Sequence, residues 1–183
     1  MVYSTDFTGS FHINPPLKPE HTAYLQKFSD TRRVDRDEAI SSKIDDPIRI
    51  AVGLPAGLAG GYTLIDTDPF GPVVDNSVVN YNHPPEGQPG LWCEWTPTDN
   101  GTELEWNHAT FIVSSSFFYC YLEWLIYLNE HFFQPWGYRL SGQVQWKDES
   151  KNRKGFITID NDVSCDSNGN DIKNRITHTR SKG

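Results

Sequence analysis

Alternating apolar and polar positions in the second half of the chain predict two β-hairpins. Residues 138–147 alternate in this way, which is the pattern of a half-buried strand. Residues 155–159 form a second apolar stretch after a polar loop, so the two stretches predict one hairpin. Residues 91–95 and 102–106 predict the other, because the Asn100-Gly101 pair between them is a strong turn signal.

Apolar residues at helical spacing predict two helices. The first begins at Pro19, since proline suits the first helical turn, and Tyr24, Leu25 and Phe28 form its apolar face. The second spans residues 117–133 and is apolar nearly all round, which is typical of a buried helix.

These elements, with a short strand at 9–13, predict an α+β fold. We expect an antiparallel sheet wrapped on one long buried central helix, with a smaller N-terminal helix beside it. Residues 1–165 are predicted to form a single domain, and residues 166–183 a polar, partly ordered tail. The segment 53–90 is rich in glycine and proline, which indicates short strands and ordered loops rather than a helix.

Composition is that of a globular protein with a core. Of 183 residues, 37% are hydrophobic and 13% aromatic, which excludes a disordered tail or a collagen-like repeat. Six Trp, eight Tyr and ten Phe are more than a core of this size usually needs. We expect some of these rings to line a concave surface, where they stack a flat ligand or anchor a partner. The alternative is that they simply fill the core.

Charge is distributed unevenly along the chain. The net charge is −8, but residues 46–137 hold one base, Arg49, against eleven acids. A segment this acidic repels phosphate backbones, so nucleic acid is a poor partner, whereas a basic protein or a cationic ligand is attracted. The alternative is that the acidic residues serve solubility alone.

The expected compartment is the cytoplasm. Three scattered cysteines are too few for a disulfide framework, and the N-terminal residues lack the pattern of a secretory signal. The most apolar stretch, 111–133, contains Glu123, Glu130 and His131, which argues against a membrane span.

Several short motifs carry a resemblance to a family. They are Pro-Gly-Leu-Trp-Cys at 89–93, Gly-Thr-Glu-Leu-Glu-Trp at 101–106, Glu-Trp-Leu at 123–125, His-Phe-Phe at 131–133 and Pro-Trp-Gly-Tyr at 135–138. Through them the chain, from about Phe11 to Val163, resembles a family of mostly bacterial and phage-borne hypothetical proteins. The resemblance implies no particular activity. The chain departs from it at Gln143 and Gln145, where the relatives carry Glu, so a family activity that used carboxylates on this strand would be absent here.

Three carboxylates in the 91–106 hairpin are the candidates for catalysis. Glu94, Glu103 and Glu105 are clustered, and paired carboxylates perform general acid–base work when burial separates their pKa values. This is the basis of an alternative hypothesis, a small carboxylate-dependent hydrolase. The simpler interpretation is a solvated face of the hairpin.

Two carboxylates on the predicted long helix are the candidates for binding. Glu123 and Glu130 fall on about the same face of a mostly apolar helix, and a buried carboxylate must be paired, neutralised or functional. They either form an ion pair with Arg32, Arg33 or Arg139, or contribute to a ligand pocket. The full candidate set for ligand or partner binding is Glu123, Trp124, Glu130, Trp92, Trp95, Trp106, Arg32 and Arg33.

No motif for a metal or a cofactor is present. The six histidines show no His-x-x-x-His spacing, and the chain has neither a P-loop nor a dinucleotide fingerprint, so we expect no metal and no cofactor. The leading hypothesis is a non-catalytic binding or inhibitor protein that captures a basic protein or a flat ligand, with a role in sequestering or blocking as in phage–host conflict. A structural or assembly protein, including a homodimer, is the second alternative.

Overall fold

The computed structural model describes residues 5–65, 76–107, 120–148, 153–160 and 176–181. The strands in these ranges are β1 (Thr5–Thr8), β2 (Ser10–Asn14), β3 (Asp35–Arg36), β4 (Val78–Asn80), β5 (Trp95–Pro97), β6 (Glu103–Trp106), β7 (Arg139–Asp148), β8 (Arg153–Ile159) and β9 (Ile176–Ser181). The α-helices are α1 (Pro19–Asp30), α2 (Glu38–Ser41), α3 (Pro47–Ala51) and α4 (Tyr121–Leu128). A 3-10 turn (Leu58–Gly60) and a π-helical turn (Asn129–Phe133) complete the described elements.

An antiparallel sheet organises the molecule. Its strand order is β5-β6-β2-β7-β8-β9, and β1 also pairs with β7. Strands β1 and β2 both pair with β7, and the register is the same for both: Phe7 lies opposite Trp146 and Phe11 lies opposite Gly142. Strands β3 and β4 form a separate two-stranded sheet.

One face of the sheet is apolar because alternate residues of each strand point to the same side. The buried side chains of this face include Phe7, Phe11, Ile13, Leu104, Leu140, Val144, Trp146, Ile157 and Ile159. They form one core cluster with residues of α1 and α4, among them Leu25, Phe28 and Leu125. The antiparallel sheet packed on helices confirms the α+β class.

The first helix is confirmed, and its ends have local causes. Proline stands at the first helical position of α1, where its missing N–H costs nothing. After Asp30 the chain is extended, and the Thr31 hydroxyl donates to the Lys27 carbonyl at 2.7 Å. This bond satisfies one of the carbonyls that a helix end leaves unpaired.

The long central helix is shorter than predicted. Together α4 and the π-helical turn run from residue 121 to residue 133, whereas the pattern predicted a start at residue 117. Residues 117–119 lie outside the described residues. A change from α to π hydrogen bonding at Asn129 also interrupts the regular helix, which hydrophobic spacing alone does not reveal.

The predicted strands are present and antiparallel, but some of them begin or end at other residues than predicted. The predicted strand at 91–95 overlaps β5 only at Trp95, because the segment before it forms loop contacts instead. The predicted polar tail includes β9, which pairs with β8 along its whole length. Strand β1 was not predicted either, since four residues are too few to show an alternation.

In the described part of the chain, no helix combines the length and apolar character that crossing a bilayer requires.

Candidate functional site

The loops that follow α1 are held together by a buried arginine. Arg33 is 2% exposed, and its guanidinium donates to Gly61 O at 2.7 Å, Thr63 O at 3.0 Å and Gln88 Oε1 at 3.2 Å. Its charged group also lies 4.1 Å from the ring centroid of Phe28. Burial lowers the pKa of Arg33. The cation is therefore stabilised by neutral acceptors and an aromatic face rather than by an ion pair.

Gln88 connects this arginine to α4. Its Oε1 accepts from Arg33, and its Nε2 donates both to Gly61 O and to the Tyr127 hydroxyl, the latter at 3.0 Å. Burial raises the pKa of Tyr127 to about 12. Gln88 thus joins the end of α1, the glycine-rich loop and α4 at one point.

The π-helical turn fixes the same loop from the other side. His131 Nδ1 lies 2.8 Å from the Tyr62 hydroxyl, and its ring stacks on Tyr127 with centroids 4.1 Å apart. Burial lowers the pKa of His131, partly opposed by the charge of Glu130. Tyr62 follows directly on the loop at 57–61, so this contact anchors the end of the loop.

A cleft of about 500 Å³ opens between this loop and the loop at 83–88. Its lining consists of Asp35, Ala59, His83, Pro84, Pro85, Glu86, Gly87 and Gln88. The amide of Asp35 donates to the His83 carbonyl at 2.8 Å, and a turn joins the Gln88 amide to the Pro85 carbonyl at 3.0 Å. Of the polar residues in the lining, Asp35 is half-buried and His83 and Glu86 are exposed, whereas the amide of Gln88 is occupied in the interior.

Backbone conformation fixes the wall of the cleft that contains Ala59. This residue has a φ of 50°, in the left-handed region that side chains other than glycine rarely adopt. Gly60 follows with a φ of 71°, and a Cβ there would lie 2.8 Å from the Cβ of Arg36. Strained and tightly packed backbone of this kind is typical of functional sites.

A second polar feature is formed by Arg32, in the segment that joins α1 to β3. Arg32 precedes Asp35 by three residues, and its guanidinium carbon lies 4.4 Å from the Tyr81 ring centroid and 5.9 Å from that of Trp92. Its Nε donates to the Tyr81 carbonyl at 3.3 Å. Arg32 and Trp92 were both in the predicted binding set, and the structure brings them together.

Two other tryptophans of the predicted set belong to the core, and a third packs against it. Trp124 is 2% exposed and Trp95 is 1% exposed, and the Trp95 indole donates to the Tyr121 carbonyl at 3.0 Å. Trp106 is half-buried and packs against Phe7, with ring centroids 4.4 Å apart. Trp95 and Trp124 therefore fill the core instead of lining a ligand surface. Arg33 is likewise buried.

The two candidate glutamates of α4 are placed differently from each other. Glu123 is exposed, so the premise that it is buried among apolar neighbours is wrong. Glu130 is half-buried and lies next to His131 on the π-helical turn. Of the three arginines considered as ion-pair partners, Arg33 is excluded, because its guanidinium donates to backbone carbonyls and to Gln88.

The three carboxylates of the hydrolase hypothesis share the open face of the sheet. Glu105 pairs with Thr96, and the Asn107 amide donates to the Glu94 carbonyl, so the alternation places Glu94, Glu103 and Glu105 on one side. Glu103 and Glu105 are exposed, and Glu94 is half-buried. The exposed face matches the simpler interpretation of a solvated hairpin.

The cleft residues were absent from the predicted set. Asp35, His83 and Glu86 are isolated in sequence, and only the Pro84-Pro85-Glu86-Gly87 turn signal marks their region. Among the described residues no group of three or more His, Cys, Asp and Glu side chains is placed to hold a metal ion.

Comparisons with known proteins add no relative. No protein-family model matches the chain, and neither the curated proteins nor the solved structures contain a match.

Proposed function

We propose that the protein is a non-catalytic binding protein, and that its cleft takes a basic side chain of a protein partner. The observation that carries this proposal is the pair of carboxylates, Asp35 and Glu86, in a single cleft of about 500 Å³. This volume lies in the range of about 300–1,000 Å³ that is usual for ligand sites. The charged side chains of the lining are both acidic, so a cation is the complementary group.

Two further features support the proposal. The cleft is preorganised, since Arg33 and Gln88 fix one wall and the turn at Pro85 fixes the other. Less entropy is then lost when a partner binds. Glu86 belongs to the acidic segment 46–137. The negative charge of this segment attracts a basic partner over longer distances. The proposed setting is the cytoplasm.

The alternative hypotheses have less support. The hypothesis of a flat ligand stacked on tryptophans has less support because two of the candidate rings, Trp95 and Trp124, are buried in the core. A hydrolase that uses Glu103 and Glu105 would need a cleft around them, and both are exposed on the open sheet face.

Titration with short peptides tests the proposed function. An acetylated Arg-Arg peptide and its Gln-Gln counterpart are titrated into the protein by calorimetry, at low and at high ionic strength. We expect only the arginine peptide to bind, and its affinity to fall with added salt. Asp35→Asn or Glu86→Gln is expected to weaken binding by about twofold to fivefold each, the range of a solvent-exposed ion pair.

Glu103→Gln is the matched control, because it removes one charge from the open sheet face. An equal loss of affinity in this variant would mean that the whole acidic surface attracts the peptide, and the cleft would not be the site. Equal binding of both peptides would also contradict the proposal.

A further inference from the structure

Arg32 is a half-buried cation whose position is fixed by its own surroundings. The rings of Tyr81 and Trp92 lie 4.4 and 5.9 Å from its guanidinium carbon, and Nε is bonded to the Tyr81 carbonyl. Within the described part of the chain, no hydrogen bond to its Nη1 or Nη2 is present. The terminal nitrogens are therefore available to a ligand.

The geometry of a guanidinium decides what such a ligand must be. Its terminal N–H groups form a planar fork that matches two oxygens of one anion, and such paired bonds are stronger than neutral ones. Ring contacts and the Nε bond already hold the side chain in place, so little further entropy is lost on binding. Arginine beside Trp and Tyr is also the combination that dominates the energetics of protein interfaces.

The charge of the whole protein selects among anions. The net charge of the chain is −8. Repulsion from this negative charge grows with the charge of the ligand. A singly charged carboxylate is consequently favoured over a doubly charged phosphate.

We propose that Arg32 is a binding site for a carboxylate group, with Tyr81 and Trp92 as the residues that position it. This goes beyond the proposed function, since the cleft takes a cation and Arg32 takes an anion.

Nuclear magnetic resonance tests this site. The Nε–Hε signal of Arg32 and the indole N–H signal of Trp92 are followed while sodium acetate, sodium phosphate or sodium chloride is added at equal ionic strength. We expect acetate to shift both signals to saturation, phosphate to act more weakly, and chloride to have no saturable effect. Arg32→Lys keeps the charge but loses the fork, and is expected to weaken acetate binding about tenfold.

Arg139→Lys is the matched control, because Arg139 is an exposed arginine on the open sheet face. Its acetate response is expected to equal that of the unmodified protein. An acetate response no larger than that of chloride, or a stronger response to phosphate, would overturn the proposal without any variant. Equal losses in the two lysine variants would overturn it as well. Because the titration contains no basic peptide, its result is independent of the cleft.

Discussion

Replacing Arg33 with methionine tests whether this buried arginine holds the loops together. Methionine fills a similar space but donates no hydrogen bond. Gly61 O keeps the bond from Gln88 Nε2, whereas Thr63 O and Gln88 Oε1 lose the donor seen in the structure. An unpaired buried acceptor costs about 1–3 kcal/mol, so two of them cost about 2–6 kcal/mol.

Removing the buried charge offsets part of this loss, because its desolvation no longer opposes folding. We therefore expect the free energy of unfolding to fall by about 2–4 kcal/mol in Arg33→Met, most of the loss being due to unpaired acceptors. That is a large part of the stability of about 5–15 kcal/mol that is typical of natural proteins.

Urea unfolding followed by circular dichroism measures this change. Arg32→Met is the comparison, since it removes a neighbouring cation that is half-buried and makes one hydrogen bond of 3.3 Å. Its expected loss is about 0.5–1 kcal/mol, the range of an exposed cation–π contact. If the two variants were equally destabilised, the three bonds of Arg33 would not be the source of loop stability and the reasoning would be refuted.

Three further predictions concern packing, pH and thiol reactivity. In Gly155→Ala the new Cβ would overlap the Thr179 backbone oxygen, so we expect a loss of about 2–3 kcal/mol in urea unfolding, and an unchanged midpoint would contradict this. Burial lowers the pKa of His21 and His131 from 6.5, so the unfolded chain binds more protons. Their contribution to stability is complete above about pH 6.5 and is lost as the pH falls. His131→Gln should make the urea midpoint less sensitive to pH between about 7 and 5 than it is in the unmodified protein, and equal sensitivity would contradict the prediction. Burial raises the pKa of the Cys93 thiol to about 12. With the other two cysteines replaced by serine, Ellman's reagent is expected to label the protein only after unfolding, and prompt labelling would show that the thiol is accessible.

Much of the sheet was predictable because burial on one face imposes a period of two. Strand β7 matches its predicted range closely. The reason is that Leu140, Val144 and Trp146 are all buried on one face, with Gly142 between them on the same face. No such signal exists in β9, whose residues alternate weakly. Its pairing depends on β8, which is distant in sequence.

The site was harder to predict, because its partners come from separate loops. Sequence showed that Arg33 follows an apolar helix, but not that backbone carbonyls from residues 61 and 63 surround it. Glu123 illustrates the opposite error. It is exposed although the next two residues, Trp124 and Leu125, are buried, so an apolar sequence neighbourhood did not show which way the side chain faces.

The position of β2 between β6 and β7 has a consequence for synthesis on the ribosome. The hairpins β5–β6 and β7–β8 each close locally, and in the sheet the strand at residues 10–14 lies between them. Strand β2 can pair with β6 once residues 103–105 have been translated, but its pairing with β7 must wait for residues 139–142. The edge of β2 that faces β7 is open to wrong pairing during that interval, so nascent chains should depend on a holding chaperone more than the finished protein does.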